Sequence, residues 1–206
     1  MAGITAMFWD VGGVLLTNGW DSEARGHAVR KFDLVEEEFA ERHELVSNEF
    51  ERGRLTLDDY LECTVFHRPR DFAREEFERF MFSQSQPKQD TLGILDTLAR
   101  SRKYFLATLN NESLPLNLYR IETFQLRRYF TAFFSSCFLG LTKPEKGIFL
   151  AAVNITQRPP QECLYVDDRS LNVEAAAQLG MRTIHFRGAA QLRRDLAGVG
   201  IDVEGR

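Results

Sequence analysis

The stretch ECLYVDDRSLNVEAAAQLGMRTIHF, residues 162–186, decides the fold. ECLYVD (162–167) is short and apolar and ends on an acid, and RTIHF (182–186) is a second run of the same kind. Between them SLNVEAAAQLG reads as a helix, with Gly180 placed as its C-cap. Strand, helix and strand in immediate succession make the repeating unit of a parallel sheet. Moving outward, KYFLATL (103–109), FTAFFSSCF (130–138) and TAMFWD (5–10) add three strands of similar character. From KYFLATL onward each strand is separated from the next by a helix-like segment, for example KPEKGIFLAAVNI after residue 142. The expected core is therefore α/β, a doubly wound, Rossmann-like parallel sheet covered on both faces.

The first two strands break the rhythm. Four helix-like stretches lie between them: DSEARGHAVRKF, VEEEFAERHELVSNEFE, TLDDYLECTVFH and PRDFAREEFERFMF. Thr56 followed by Asp59 has the form of a capping box. The polar segment SQSQPKQD (83–90) then leads back to the core. These features predict an α/β core of residues 1–17 and 88–206 with an α-helical insertion at 18–87.

The totals fit one such unit. The chain has 206 residues, 44% hydrophobic and 27% charged, and 17 phenylalanines gathered largely in helix-like stretches. A net charge of −4 argues against a nucleic-acid partner, which needs a basic face. No signal-like N-terminus and no apolar run of membrane-spanning length is present, so a cytoplasmic protein without a membrane partner is expected. Cys63, Cys137 and Cys163 have no metal-ligand spacing and read as buried, reduced thiols.

Ligands of such sheets bind beyond the carboxyl ends of the strands. Asp10 ends the first strand, Asn110 and Asn111 the second, and Asp167 and Asp168 the fourth, while Lys143 follows the third. Each alone can be a turn former or a helix cap, but together they converge on one edge. Three carboxylates packed together need a cation, and oxygen ligands without His or Cys select a hard ion such as Mg²⁺. Mg²⁺ shares phosphate oxygens, so a phosphorylated substrate is expected, with Asp10 as nucleophile and Lys143 as the charge facing both Asp10 and the phosphate. Asn110 and the backbone after it offer donors to the phosphoryl oxygens.

In order along the chain, MFWDVGGVL, FLATLNN, GLTKPEKGIF and LYVDDRSLNVEAA resemble the four signatures of the haloacid dehalogenase superfamily. The resemblance implies a phosphatase that works through an aspartyl-phosphate and needs Mg²⁺. It implies Asp10 as nucleophile and metal ligand, Asp168 as direct ligand, Asp167 acting through water, and Lys143 contacting nucleophile and phosphate. The insertion matches the position of the family's small helical cap. Two departures stand out. Gly12 replaces the second aspartate that serves as general acid, keeping a carbonyl for the metal but no proton. That help is worth ~10²–10⁴ in rate. Some phosphatase-like members resemble this chain in carrying glycine there, and an anomeric leaving group would suffer least. If the missing proton alone limits the rate, Gly12→Asp gains on poor leaving groups. Asn110 stands where Ser or Thr is usual.

Two rival readings remain open. A 2-haloacid dehalogenase also lacks the second aspartate, but the VDDR pair argues for metal and phosphate. A regulatory module could hold a phosphorylated ligand without turning it over. Trp20, Arg25, His27, His43 and Arg54 have chemistry suited to a sugar or other small phosphate, though each also has a purely structural role open to it. The expected protein is an Mg²⁺-dependent hydrolase of a small phosphorylated metabolite, monomeric or homodimeric.

Overall fold

The computed structural model describes residues 3–203. Five parallel strands form one sheet in the order β3-β2-β1-β4-β5: β1 (Ala6–Trp9), β2 (Phe105–Asn110), β3 (Ala132–Ser135), β4 (Cys163–Asp167) and β5 (Arg182–His185). All four side chains of β1 are fully buried, because the strand lies in the middle of the sheet with helices on both faces. Strand alternation sorts the core into two layers. Met7, Trp9, Leu106, Leu164 and Val166 pack on one face beneath α5 (Gln89–Ser101), α6 (Leu114–Thr123) and α10 (Ala189–Gly198). Phe8, Ala107, Leu109, Phe134 and Tyr165 pack on the other beneath α8 (Lys146–Thr156) and α9 (Ser170–Gln178). Each large apolar side chain so buried contributes roughly 1.5–3 kcal/mol. This is the doubly wound arrangement expected from the sequence.

Four helices intervene between β1 and α5: α1 (Ser22–Lys31), α2 (Glu36–Glu51), α3 (Leu57–Thr64) and α4 (Arg74–Ser83). They share a third core in which Phe32 meets Phe72, Phe77 and Phe80, and Phe50 stacks on Tyr60. The phenylalanine-rich stretches serve this core. Both halves of the Thr56–Asp59 capping box are made at the start of α3. Where the chain leaves the sheet and returns, the two segments run against each other: Thr17 N donates to Gln86 O (2.8 Å) and Lys88 N to Leu15 O (2.9 Å).

Two expectations need correction. The third strand is Ala132–Ser135, not 130–138, because the chain turns into a single helical turn, α7 (Ser136–Leu139), closed by Gly140 at φ 68°. The hydroxyl of Ser136 draws the chain out of the sheet by donating to Glu51 O at 2.6 Å and accepting from Glu112 N at 2.9 Å. Of the three free cysteines only Cys163 is buried, and Cys63 and Cys137 are half-buried. Among the described residues no helix is long and apolar enough to cross a membrane.

Candidate active site

The sheet delivers Asp10 to its place by continuing the ladder one residue past β1, where Asp10 N donates to Val166 O at 2.9 Å. Its carboxylate accepts from Val11 N (2.8 Å) and faces Lys143 Nζ at 3.0 Å. The same ammonium lies 2.7 Å from Asp167. Asn111, just beyond β2, fixes the lysine's backbone with two bonds: Lys143 N donates to Asn111 Oδ1 (2.8 Å), and Asn111 Nδ2 donates to Lys143 O (3.0 Å).

The two aspartates at the end of β4 differ sharply. Asp167 is fully buried and saturated, accepting from Lys143, Tyr165 Oη, Arg169 N and Asn172 Nδ2. Burial alone would raise its carboxyl, but Lys143 and these donors hold it below the usual carboxylate range. Asp168 is only half-buried, yet its Oδ1 is shielded and has no hydrogen-bond partner. Oxygens of Asp10, Asp167 and Asp168 all lie within 4.8 Å of one another. Burial pushes Asp10 up to about 7, Lys143 opposes this, and Asp167 and Asp168 add to it. Burial and Asp167 likewise raise Asp168. One ammonium cannot offset three carboxylates, so the donor set is short of positive charge. An all-oxygen cluster with an unpartnered carboxylate oxygen fits a divalent hard cation.

Gly13 makes room for this cluster. It sits at φ 74°, and a Cβ there would collide with the Asp168 carboxylate. Gly12 lines the cavity in front of Asp10. A Cβ at Gly12 would lie 3.2 Å from Asn18 Oδ1 and 3.7 Å from Arg120 Nη1.

That cavity has a volume of about 690 Å³ and is bounded by strand ends on one side and by α1 and α2 on the other. Asp10, Gly12, Asn111 and Lys143 reach it together. Asn110 is not brought there. Its amide is 1% exposed and bound into a buried network, donating to Asn117 Oδ1 (3.3 Å) and accepting from Ser135 Oγ (2.9 Å). Trp20, Arg25 and His43 line the cavity, whereas His27 is exposed away from it and Arg54 pairs with Glu49 at the surface. Burial and Arg25 depress His43 to about 4, so its ring is neutral at pH 7, 2.9 Å from Tyr60 Oη.

Several cavity residues escaped the sequence reading, among them Asn18, Glu51, Glu112, Arg120 and Arg169. Glu112 stands two places beyond Asn110, so strand-end reasoning could have included it. Arg120, 2% exposed, pairs with Glu112 at 2.6 Å and donates to Asn18 O (2.7 Å) and Ser85 Oγ (3.0 Å). No local pattern announces that Arg120 reaches back to Asn18 and Ser85.

Comparison with known proteins places this site in context. Residues 4–180 match the family model described as haloacid dehalogenase-like hydrolase. Flavin mononucleotide hydrolase 1 of Arabidopsis thaliana is 30% identical over 162 residues, 79% of this chain and 65% of that protein. Drimenol cyclase drtB of Aspergillus calidoustus is 25% identical over 205 residues, 95% of this chain but only 36% of its own length. The chain thus spans less than two thirds of these relatives. A HAD family enzyme of Bacteroides thetaiotaomicron has the same fold, with a TM-score of 0.79 at 23% identity over 95% of this chain and 99% of that one. The same enzyme has also been crystallised with magnesium and inorganic phosphate.

Proposed function

The chain belongs to the haloacid dehalogenase-like hydrolase family, and from that membership we propose that it is a magnesium-dependent phosphatase of small phosphate esters. The observation that carries the reading is the buried Asp10–Lys143 pair at 3.0 Å, which lines the cavity and has two further carboxylates beside it. The flavin mononucleotide hydrolase relative supports a small phosphorylated substrate.

In this reading Asp10 attacks phosphorus in line with the departing oxygen and forms an aspartyl-phosphate. Lys143 favours the ionised form of Asp10 against its burial and takes up charge on the phosphoryl oxygens, while the two bonds from Asn111 hold its backbone in place. Asp167, saturated by its own donors, positions Lys143 rather than meeting the substrate. Asp10, Asp168 and the Gly12 carbonyl would hold Mg²⁺ directly and Asp167 through water, the ion supplying the positive charge that the cluster lacks. Asn110 acts through the Asn117–Ser135 network that fixes the end of β2. The chain thus falls in the subgroup with glycine in place of the second aspartate, and residues 18–87 form a small helical cap over a core of 1–17 and 88–206. A cavity of this size suits a metabolite that it can enclose.

The test is a panel of phosphate esters with and without Mg²⁺. Asp10→Asn is expected to lose ~10³-fold or more in kcat/KM, as removal of a nucleophile does. Chelation is expected to abolish turnover. Activity that survives both changes overturns the mechanism. Tight binding of phosphate esters without any turnover points instead to a phospho-ligand binding module, the reading that Gly12 favours.

A further inference from the structure

A phosphatase with glycine at position 12 needs another source for the leaving group's proton. The cavity offers three carboxyl groups outside the aspartate cluster, Asp21, Glu51 and Glu112. Asp21 is spent on capping α1, where it accepts from Ala24 N at 3.0 Å. Glu112 is committed: Arg120 pairs with it at 2.6 Å and Ser113 N donates to it at 3.0 Å. Glu51 is the last residue of α2 and lines the cavity from the side opposite the strand ends. Its backbone is anchored, since Ser136 Oγ donates to Glu51 O at 2.6 Å and thereby ties α2 to the segment after β2. Among the described residues its carboxyl group is engaged in no hydrogen bond and no ion pair. An anchored helix end that presents an uncommitted carboxyl to the reaction cavity is the arrangement a general acid requires.

We infer that Glu51 is the general acid that protonates the leaving group, an inference that rests on the phosphatase reading of the site. As the Asp10 oxygen bonds to phosphorus, the ester P–O bond breaks and its electron pair stays on the departing oxygen. The Glu51 proton passes to that oxygen, releasing a neutral alcohol and leaving a carboxylate. In the second half, water attacks phosphorus and its proton goes to the Glu51 carboxylate. The Asp10–phosphorus bond breaks, and both carboxyl groups return to their starting states.

The electrostatic surroundings suit the role. Burial pushes Glu51 up to about 7, and the neighbouring Glu112 pushes the same way, against Arg169, Lys143 and Arg25. On α2 itself His43 is depressed to about 4 and so neutral; from the elements packed on α2, Tyr60 remains protonated and burial pushes the Cys137 thiol up to about 12. Glu112, paired with a guanidinium, and Glu51, unpaired in the same cavity, are driven to different tasks. An acid of this kind extends the substrate class to alkyl phosphates, whose leaving groups need a proton.

The experiment measures kcat/KM with Mg²⁺ for a series running from p-nitrophenyl phosphate to primary alkyl phosphates. This parameter reports only the steps through departure of the leaving group. Glu51→Gln is expected to lose ~10²–10⁴-fold on alkyl phosphates and far less on p-nitrophenyl phosphate. The alkaline limb of the wild-type profile on alkyl phosphates, expected near pH 7 from the Glu51 carboxyl, is expected to vanish in this variant. Glu51→Asp, which keeps the acid, is expected to restore part of the loss and the limb. Calorimetric binding of inorganic phosphate with Mg²⁺ reports that each variant's site is intact. Equal losses across the series, or an unchanged alkaline limb, overturn the inference while Asp10→Asn inactivity leaves the phosphatase reading standing. A wild-type protein inert on every ester overturns both.

Discussion

At Gly12 a new side chain would have to fit against Asn18 and the Arg120 guanidinium, already paired with Glu112. A carboxylate placed there would be held ionised by that cation. Gly12→Asp is therefore expected to leave kcat/KM on alkyl phosphates unchanged or lower, against the gain that the bare sequence suggests. A gain of ~10-fold or more, in the range of general acid catalysis, would show that position 12 simply lacks its acid. The gathering of Asp10, Lys143, Asp167 and Asp168 at one sheet edge was legible because strand ends are where this architecture puts its ligands. Asn110 misled because its residue type suits a phosphate while its amide is spent on Asn117 and Ser135. Glu51 was illegible because nothing in a helix-like stretch says that its last residue faces a cavity. Gly13 clears the space that Asp168 occupies, a role that only the packed structure reveals.

Among the elements, α2 and α3 are joined to the start of α1 by a buried polar chain. Trp20 Nε1 donates to Tyr60 Oη at 2.7 Å, and that hydroxyl lies 2.9 Å from His43 Nδ1. His43 is depressed to about 4 by burial and by Arg25, so the folded protein binds its proton later than the unfolded chain does. Between pH 4 and the ordinary histidine range near 6.5 the unfolded state holds more protons, and stability falls as pH falls through that window. The stability that wild type holds over His43→Gln at pH 7 is expected to shrink as pH drops toward 4. Melting curves at stepped pH check this, and a constant difference would show that His43 does not titrate in this way. The helices themselves were readable from apolar spacing and from the Thr56–Asp59 box. The third strand was read too long because FTAFFSSCF is apolar throughout, and only the tertiary bonds of Ser136 turn the chain out of the sheet.

For the molecule as a whole, the excess of carboxylate at the sheet edge is a cost of folding that a bound cation removes. Mg²⁺ is expected to raise Tm with the logarithm of its concentration above Kd, by the equivalent of ~2.7 kcal/mol at a hundred times its Kd. Asp168→Ala is expected to lose most of this shift and to need more Mg²⁺ for activity. A Tm indifferent to Mg²⁺ in wild type would remove the ion from the site. That helices intervene between the first two strands was readable, since the strand rhythm fails between residues 10 and 103 and resumes afterwards. How the helices close over the strand ends did not follow, because the surfaces that meet are polar and leave no periodic trace.

Arg120 bears on motion as well as on charge. From α6 its guanidinium reaches Asn18 O on the outgoing chain and Ser85 Oγ on the returning one, with Glu112 behind. Lifting α1–α4 away from the sheet like a hinged lid would strip Asn18 O and Ser85 Oγ from a buried cation and leave it Glu112 alone, at a cost in free energy. A swivel about the arginine keeps both chain crossings bonded. Any separation of α1–α4 from the sheet that preserves both crossings must therefore turn about Arg120 rather than lift from it.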